Sequence, residues 1–194
     1  MSNLILVDVD GVLLNWLPSF ERWMTSLGYI HQNDCDDYNL SKRYNISNTL
    51  MLSLISTFNE SIEISRLSPF KDSVEFVEKL HWDYGYVFHA ITSLSKNKNA
   101  QKMRKKNLED IFGKNVFVDF TFFDVNESKE SILKKFSGSN LFWIEDSPEN
   151  ADAGIEFGLK SILTNHPHNQ NYDGKAINVN NWGEIFNLIT KKVI

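Results

Sequence analysis

Leu4-Ile5-Leu6-Val7-Asp8-Val9-Asp10-Gly11-Val12 is the stretch on which the fold turns. A short apolar run ends in two aspartates one residue apart, followed at once by glycine. The run reads as a fully buried parallel strand. Its carboxylates then emerge at the strand's carboxyl end, where open α/β sheets bind ligands. Like charges about 4 Å apart repel by roughly 4 kcal/mol at an effective dielectric near 20. Something positive must offset that, or one acid must stay protonated. A metal together with phosphate chemistry uses both options.

Working outward, apolar runs at Tyr86–Ile91, Val116–Phe123, Leu141–Ile144 and Ser161–Leu163 predict four more strands. Helical patterns lie between them: one through Val74, Phe76, Val77 and Leu80, then Gln101–Ile111, Glu130–Phe136, Asn150–Gly158 and, last, Trp182–Lys192. Strand and helix alternate from residue 69 onward, the signature of a parallel sheet with helical crossovers. Residues 15–68 lack strands. Helical patterns run there through Phe20, Trp23, Met24 and Leu27 to Gly28 and over Thr49–Phe58, with a third near Ile62–Arg66. The expected architecture is α/β: a three-layer Rossmann-like core from 1–14 and 69–194, with a small helical cap, 15–68, inserted after the first strand. Residues 29–48 and 166–181 read as polar loop.

The 194 residues carry 20 Lys and Arg against 25 Asp and Glu, a net charge of -5. That balance argues against a binder of DNA or RNA backbones. A single Cys, Cys35, leaves no internal disulfide and no cysteine-rich zinc site. No apolar run approaches the roughly 18 residues of a membrane helix, and the first residues lead straight into a strand. A cytoplasmic protein without a membrane or nucleic-acid partner is expected. Oligomeric state is not written in the sequence.

Four features fall at the carboxyl ends of strands or at a helix start: Asp8-Val9-Asp10-Gly11-Val12, Thr92-Ser93, Lys129, and Glu145-Asp146-Ser147-Pro148-Glu149-Asn150. Their order and content resemble the haloacid dehalogenase-like hydrolase superfamily, mostly magnesium-dependent phosphatases, from residue 4 to about 165. The resemblance implies that Asp8 is a nucleophile forming an aspartyl-phosphate, and that Asp10 is the general acid for the leaving alcohol and then the base for water. It implies that Asp8, the Asp10 main-chain carbonyl and Asp146 hold Mg²⁺, an ion that prefers oxygen ligands. Glu145 would order a metal-bound water and Asn150 brace the loop carrying Asp146. Thr92, Ser93 and Lys129 would hold phosphoryl oxygens, and Gly11 would let the backbone turn tightly beside the substrate. Dehalogenases need only the nucleophile; with Asp10, Glu145 and Asp146 all present, a phosphate substrate is favoured.

The substrate expected is a small phosphorylated metabolite. The short core, the aromatic-bearing insertion and the acid-Asp-Ser-Pro motif are similar to the 5′(3′)-deoxyribonucleotidase branch, which would make the chain a 5′-nucleotidase. Glu145, in place of that branch's first aspartate, also fits sugar-phosphate phosphatases and phosphomutases. A protein that kept the fold and lost turnover is a further alternative.

Plainer readings stand beside these. Paired Asp at a strand end is also turn chemistry, and Thr92-Ser93 also suits a helix N-cap. Lys96 and Lys98 compete with Lys129. Trp16, Phe20 and Trp23 fall at helical spacing, either as the core of the insertion or as rings that stack on a flat substrate group. His166 and His168 read as solvent-facing loop residues, His89 as a satisfied core histidine, and the Lys102–Lys106 run as a solvated helix face.

Overall fold

The computed structural model describes residues 3–31, 39–125 and 127–191; Cys35 lies outside them. In chain order the elements are β1 (Leu4–Val7), α1 (Trp16–Ser26), α2 (Leu40–Arg43), α3 (Asn48–Glu60), a 3-10 turn at Ile62–Arg66, and α4 (Lys71–Trp82). They continue with β2 (Val87–Ser93), α5 (Lys98–Phe112), β3 (Phe117–Phe123), α6 (Glu130–Leu133) with a 3-10 turn at Lys134–Phe136, and β4 (Phe142–Glu145). The chain closes with α7 (Pro148–Glu156), β5 (Lys160–Thr164), β6 (Ile177–Val179) and α8 (Trp182–Thr190).

The strands form one parallel sheet in the order β3-β2-β1-β4-β5-β6. The order reverses at β1, between β2 and β4, which makes the carboxyl end of β1 the place where such sheets open a crevice. Alternate β1 side chains feed two different cores. Ile5 and Val7 join the larger apolar cluster with Leu80, Phe88 and Ile185, while Leu6 joins Ile91, Leu133, Trp143 and Leu159. Helices therefore cover both faces, which is why the strand reads as an unbroken apolar run rather than an alternating one.

Phe20, Met24, Met51 and Phe58 of α1 and α3 belong to the same cluster as Ile5 and Val7. The inserted helices thus share the larger core with the sheet. Local capping sets several helix starts: Ser47 accepts from Leu50 N in α3, Asn97 from Asn99 N in α5, Ser147 from Asn150 N in α7 and Asn181 from Glu184 N in α8. Thr92 and Ser93 instead end β2, so the N-cap reading passes to Asn97.

Two elements depart from the sequence expectation. The three-residue β6 lies in the stretch 166–181 read as loop, and the four-residue α2 lies in the polar stretch 29–48. Neither carries an apolar run long enough to announce itself. No helix among the described residues is long and apolar enough to cross a membrane.

Candidate active site

The turn after β1 is fixed from several sides. Leu13 N and Leu14 N both donate to Val9 O, and Gly11 N to Leu14 O. Trp182 of α8 donates its indole N–H to Val12 O at 2.9 Å, and Ser73 of α4 its hydroxyl to Leu13 O at 3.2 Å. Asp8 N donates to Ile144 O of β4. Two helices and the neighbouring strand thereby hold Asp8 and Asp10 at the crevice.

Lys129, just before α6, sits between two buried carboxylates. Its Nζ is 2.8 Å from Asp8 Oδ1 and 2.9 Å from Glu145 Oε2. Glu145 spends its other oxygen on the N–H groups of Asp146 and Ser147, each at 3.1 Å. Its acceptors are therefore committed, and it shapes the Asp146 loop. Asp8, Glu145 and Asp146 each offer an oxygen within 4.8 Å of the others. The Asp10 side chain stands apart from them, gripped by Arg104 of α5: Nη1 lies 2.6 Å from Asp10 Oδ1.

The electrostatics follow from burial. Desolvation first, then repulsion by Glu145, pushes the Asp8 carboxyl up to about 8 despite Lys129. Desolvation and then Asp8 push Asp146 up to about 7. Asp10 and Glu145 are also raised by burial, against the pull of Arg104 and Lys129 respectively. Burial alone would pull the Lys129 ammonium down; Asp8 and Glu145 outweigh it and hold it above the usual lysine range. One ammonium among three close acids leaves a surplus of negative charge and oxygen donors only. That donor set fits a hard divalent cation such as Mg²⁺, with Asp8 and Asp146 as the carboxylates free to hold it.

The nest opens into a cleft of about 650 Å³ whose opposite wall is built by α1, α2 and α3. Asp8, Asp10, Gly11, Thr92, Ser93, Lys129, Glu145, Asp146 and Asn150 all line it, so the sequence features named from four separate segments meet at one place. Thr92 is buried and its Oγ1 has no hydrogen-bond partner among the described residues. Lys96 and Lys98 lie elsewhere, bound to Glu127 and Gln101 on the surface. Asn150 is in the first turn of α7, where its carbonyl accepts from Trp143 Nε1.

The aromatic trio divides. Trp16 lines the cleft, its indole N–H held by Asn59 Oδ1 at 2.9 Å. Phe20 is fully buried behind it, stacked at 4.6 Å, and Trp23 packs on Phe20 and Phe58. Phe20 and Trp23 therefore pack in the core and do not line the cleft; the first turn of α1, with Trp16, Leu17 and Pro18, is the part that reaches it.

Three residues escaped the sequence reading. Arg104 is fully buried, though it lies in the run read as a solvated basic face. His166 and His168, read as solvent-facing, stack on each other beside the nest. His166 Nε2 donates to Gly11 O at 2.6 Å and His168 Nε2 to Asp146 O at 3.1 Å; a carbonyl can only accept, which assigns both protons to Nε2. The neighbouring Asn169 donates to Asp146 O and Thr164 O, both at 2.8 Å. His89 does stay in the core, on Thr121 Oγ1 at 2.8 Å.

No protein-family model matches the chain. It is 34% identical over 164 residues to an uncharacterized 32.4 kDa protein of the Gp30–rIII intergenic region of Enterobacteria phage T4. The match takes in 80% of this chain and 58% of that protein, so the chain spans somewhat over half the length of this relative. Among solved structures, a haloacid dehalogenase (HAD) family hydrolase from Deinococcus radiodurans R1 with bound phosphate and sodium superimposes with a TM-score of 0.61 at 15% identity, over 98% of this chain and 96% of that one. L-2-haloacid dehalogenase from Xanthobacter autotrophicus, with chloropropionic acid covalently bound, gives 0.60 at 8% identity, over 98% and 99%. At such identities the likeness establishes the fold: the chain has the fold of the haloacid dehalogenase-like hydrolases. One of these neighbours holds phosphate and the other a chloropropionate adduct, so the fold by itself does not fix the reaction.

Proposed function

We propose that the chain is a divalent-cation-dependent phosphomonoester hydrolase acting through an aspartyl-phosphate on Asp8, and a member of the haloacid dehalogenase-like superfamily. The observation that carries this reading is the nest itself: Lys129 between Asp8 and Glu145, with Asp146 within reach of both acids.

Phosphoryl transfer needs an in-line nucleophile, neutralisation of the equatorial oxygens and a proton for the leaving group. Asp8 supplies the nucleophilic oxygen: its bond to phosphorus forms as the bond from phosphorus to the ester oxygen breaks. Asp10 gives that oxygen its proton, then takes one from the water that opens the aspartyl-phosphate and releases phosphate. Lys129 and the unpartnered Thr92 hydroxyl, with Ser93 beside it, bind phosphoryl oxygens. Mg²⁺ held by Asp8 and Asp146, with the Asp10 carbonyl, would keep both carboxylates ionised and polarise the phosphoryl group. A halide leaves without needing a proton, so a general acid at Asp10 favours the phosphate reading.

The substrate we infer is a (deoxy)nucleoside monophosphate, with residues 15–68 as the cap that selects it and the 5′-nucleotidase activity that follows. Its support is the outer cleft, where the Trp16 ring lies with Leu17, Met51 and Ile55 among the amide and hydroxyl groups of Asn39, Ser41 and Asn48. A flat, half-apolar group with hydrogen-bonding edges suits such a wall. The same amides suit sugar hydroxyls, so a sugar phosphate is the competing substrate. Phosphate release from a panel of nucleotides and sugar phosphates, with Mg²⁺ and with chelator, tests both levels. Chelator-sensitive turnover favouring nucleotides is expected. Preference for sugar phosphates overturns the nucleotide reading, and failure on every ester, aryl phosphates included, overturns the hydrolase.

A further inference from the structure

Arg104 is a charged side chain in a position the fold would ordinarily give to an apolar one. Its helix α5 buries Ala100, Arg104, Asn107, Leu108 and Phe112, one continuous stripe at helical spacing. The guanidinium is wholly inaccessible, and it pairs with Asp10, 94 positions earlier, through the 2.6 Å contact between Nη1 and Oδ1. Nε and Nη2 have no hydrogen-bond partner among the described residues.

A buried ion pair is weak support for stability, because well-packed apolar side chains commonly do as well or better. The stripe could have been completed by methionine or leucine. What an apolar residue cannot do is hold Asp10 by one chosen oxygen. Asp10 faces the cleft with 22% of its side chain exposed, while the Oδ1 contact leads to a residue that sees no solvent. The other oxygen, Oδ2, is the one left for the cleft.

We propose that Arg104 is a positioning residue for the reaction: by gripping Oδ1 from beneath, it fixes the Asp10 carboxyl so that Oδ2 faces the ester oxygen that leaves phosphorus. The inference rests on the hydrolase reading, in which Asp10 passes its proton to that oxygen. Arg104 is not part of the cleft lining, and its ion pair is with the Asp10 carboxyl rather than with Asp8, Asp146 or the Asp10 carbonyl that would hold the cation. Lysine would reach the same oxygen as a single point charge and lose the planar fork that fixes direction.

The test varies the leaving group. An aryl ester such as 2,4-dinitrophenyl phosphate expels a weakly basic oxygen and needs little protonation, whereas a nucleoside 5′-monophosphate or glycerol phosphate expels a strongly basic one. General-acid assistance is worth roughly 10²–10⁴ in rate. Arg104→Met should therefore lower the ratio of kcat on alkyl esters to kcat on the aryl ester by about 30-fold or more, acting on kcat rather than KM. Arg104→Lys should recover part of that ratio. Asp10→Asn should reproduce the selective loss, and the Asp10→Asn/Arg104→Met double variant should lose no more than Asp10→Asn alone. Crystal structures supply a readout apart from activity: in Arg104→Met Asp10 should leave its present position, in Arg104→Lys it should stay closer to it, and Asp8, Lys129, Glu145 and Asp146 should keep theirs in both. Equal loss on aryl and alkyl esters, additive effects in the double variant, or an unmoved Asp10 in Arg104→Met would overturn the proposal. Absence of wild-type hydrolysis on every ester would instead overturn the hydrolase reading, and the position of Asp10 would still decide whether Arg104 holds it.

Discussion

Asp146 Oδ2 occupies the space that a side chain at Gly11 would need: a Cβ built there would lie 2.1 Å from that oxygen and 2.6 Å from Asp146 Cγ. The backbone at Gly11 also has φ +81°, a conformation side chains rarely adopt. The turn after β1 and the loop after β4 are therefore in contact through a missing side chain. Gly11→Ala must displace Asp146 or distort the turn. The expected result is loss of more than about 1 kcal/mol of stability together with weakened Mg²⁺ binding, read by denaturant titration and calorimetry.

Lys129 separates two acids that burial cannot hold apart unaided. Lys129→Met leaves Asp8 and Glu145 facing each other without a cation, a type of change that costs about 3–5 kcal/mol. Both carboxyls are raised in the folded state, so the protein can escape part of that cost by protonating them at lower pH. Denaturant midpoints at pH 5 and pH 7.5 should show a smaller loss at pH 5. An equal loss at both would mean that the lysine contributes by packing alone.

The acids also dictate how stability follows pH. Asp8 is pushed up to about 8 and Asp146 to about 7, from an ordinary value of 3.8. The folded state then binds their protons more tightly than the unfolded one, so stability falls as pH rises through this range. His89 and His168 are lowered by burial and contribute the opposite slope only around and below the ordinary histidine value of 6.5. Between pH 7 and 8.5 in chelator, Tm should decline, and Mg²⁺, which binds the ionised nest, should raise Tm more at pH 8.5 than at pH 7. Asp8→Asn should flatten both trends.

Asn169 ties the Asp146 loop to the end of β5. It is buried, gives two bonds through Nδ2, and receives His166 N at 2.8 Å through Oδ1. Asn169→Ala should cost about 2–3 kcal/mol through the bonds it removes from Asp146 O, Thr164 O and His166 N. It should also weaken Mg²⁺ binding without changing its stoichiometry, as isothermal calorimetry would report.

Most of the sheet was legible because burial on both faces leaves its mark on each central strand as an apolar run, as in Leu4–Val7 and Phe142–Ile144. The acidic nest was legible because its members sit at the ends of those runs, where position along the chain translates into position in space. Arg104 was hidden by its neighbours: Lys102, Lys105 and Lys106 make the stretch read as basic, although the phase of Ala100 and Leu108 places residue 104 on the buried stripe. Its partner lies on another element, and no local pattern announces a pair formed across 94 positions. His166 and His168 reach the nest because the chain after β5 folds back over the Asp146 loop before β6, a path set by tertiary contacts. Phe20 and Trp23 share helical spacing with Trp16, and spacing alone does not tell which end of a helix meets the opening.

A covalent bond between phosphorus and Asp8 is the centre of the proposed reaction. Rapid acid quenching of the protein during turnover of a ³²P-labelled monoester in Mg²⁺, followed by peptide mapping, should find acid-stable, hydroxylamine-labile label on the peptide carrying Asp8, and none in Asp8→Asn. Turnover that proceeds with no label on that peptide, or that survives Asp8→Asn, would contradict it.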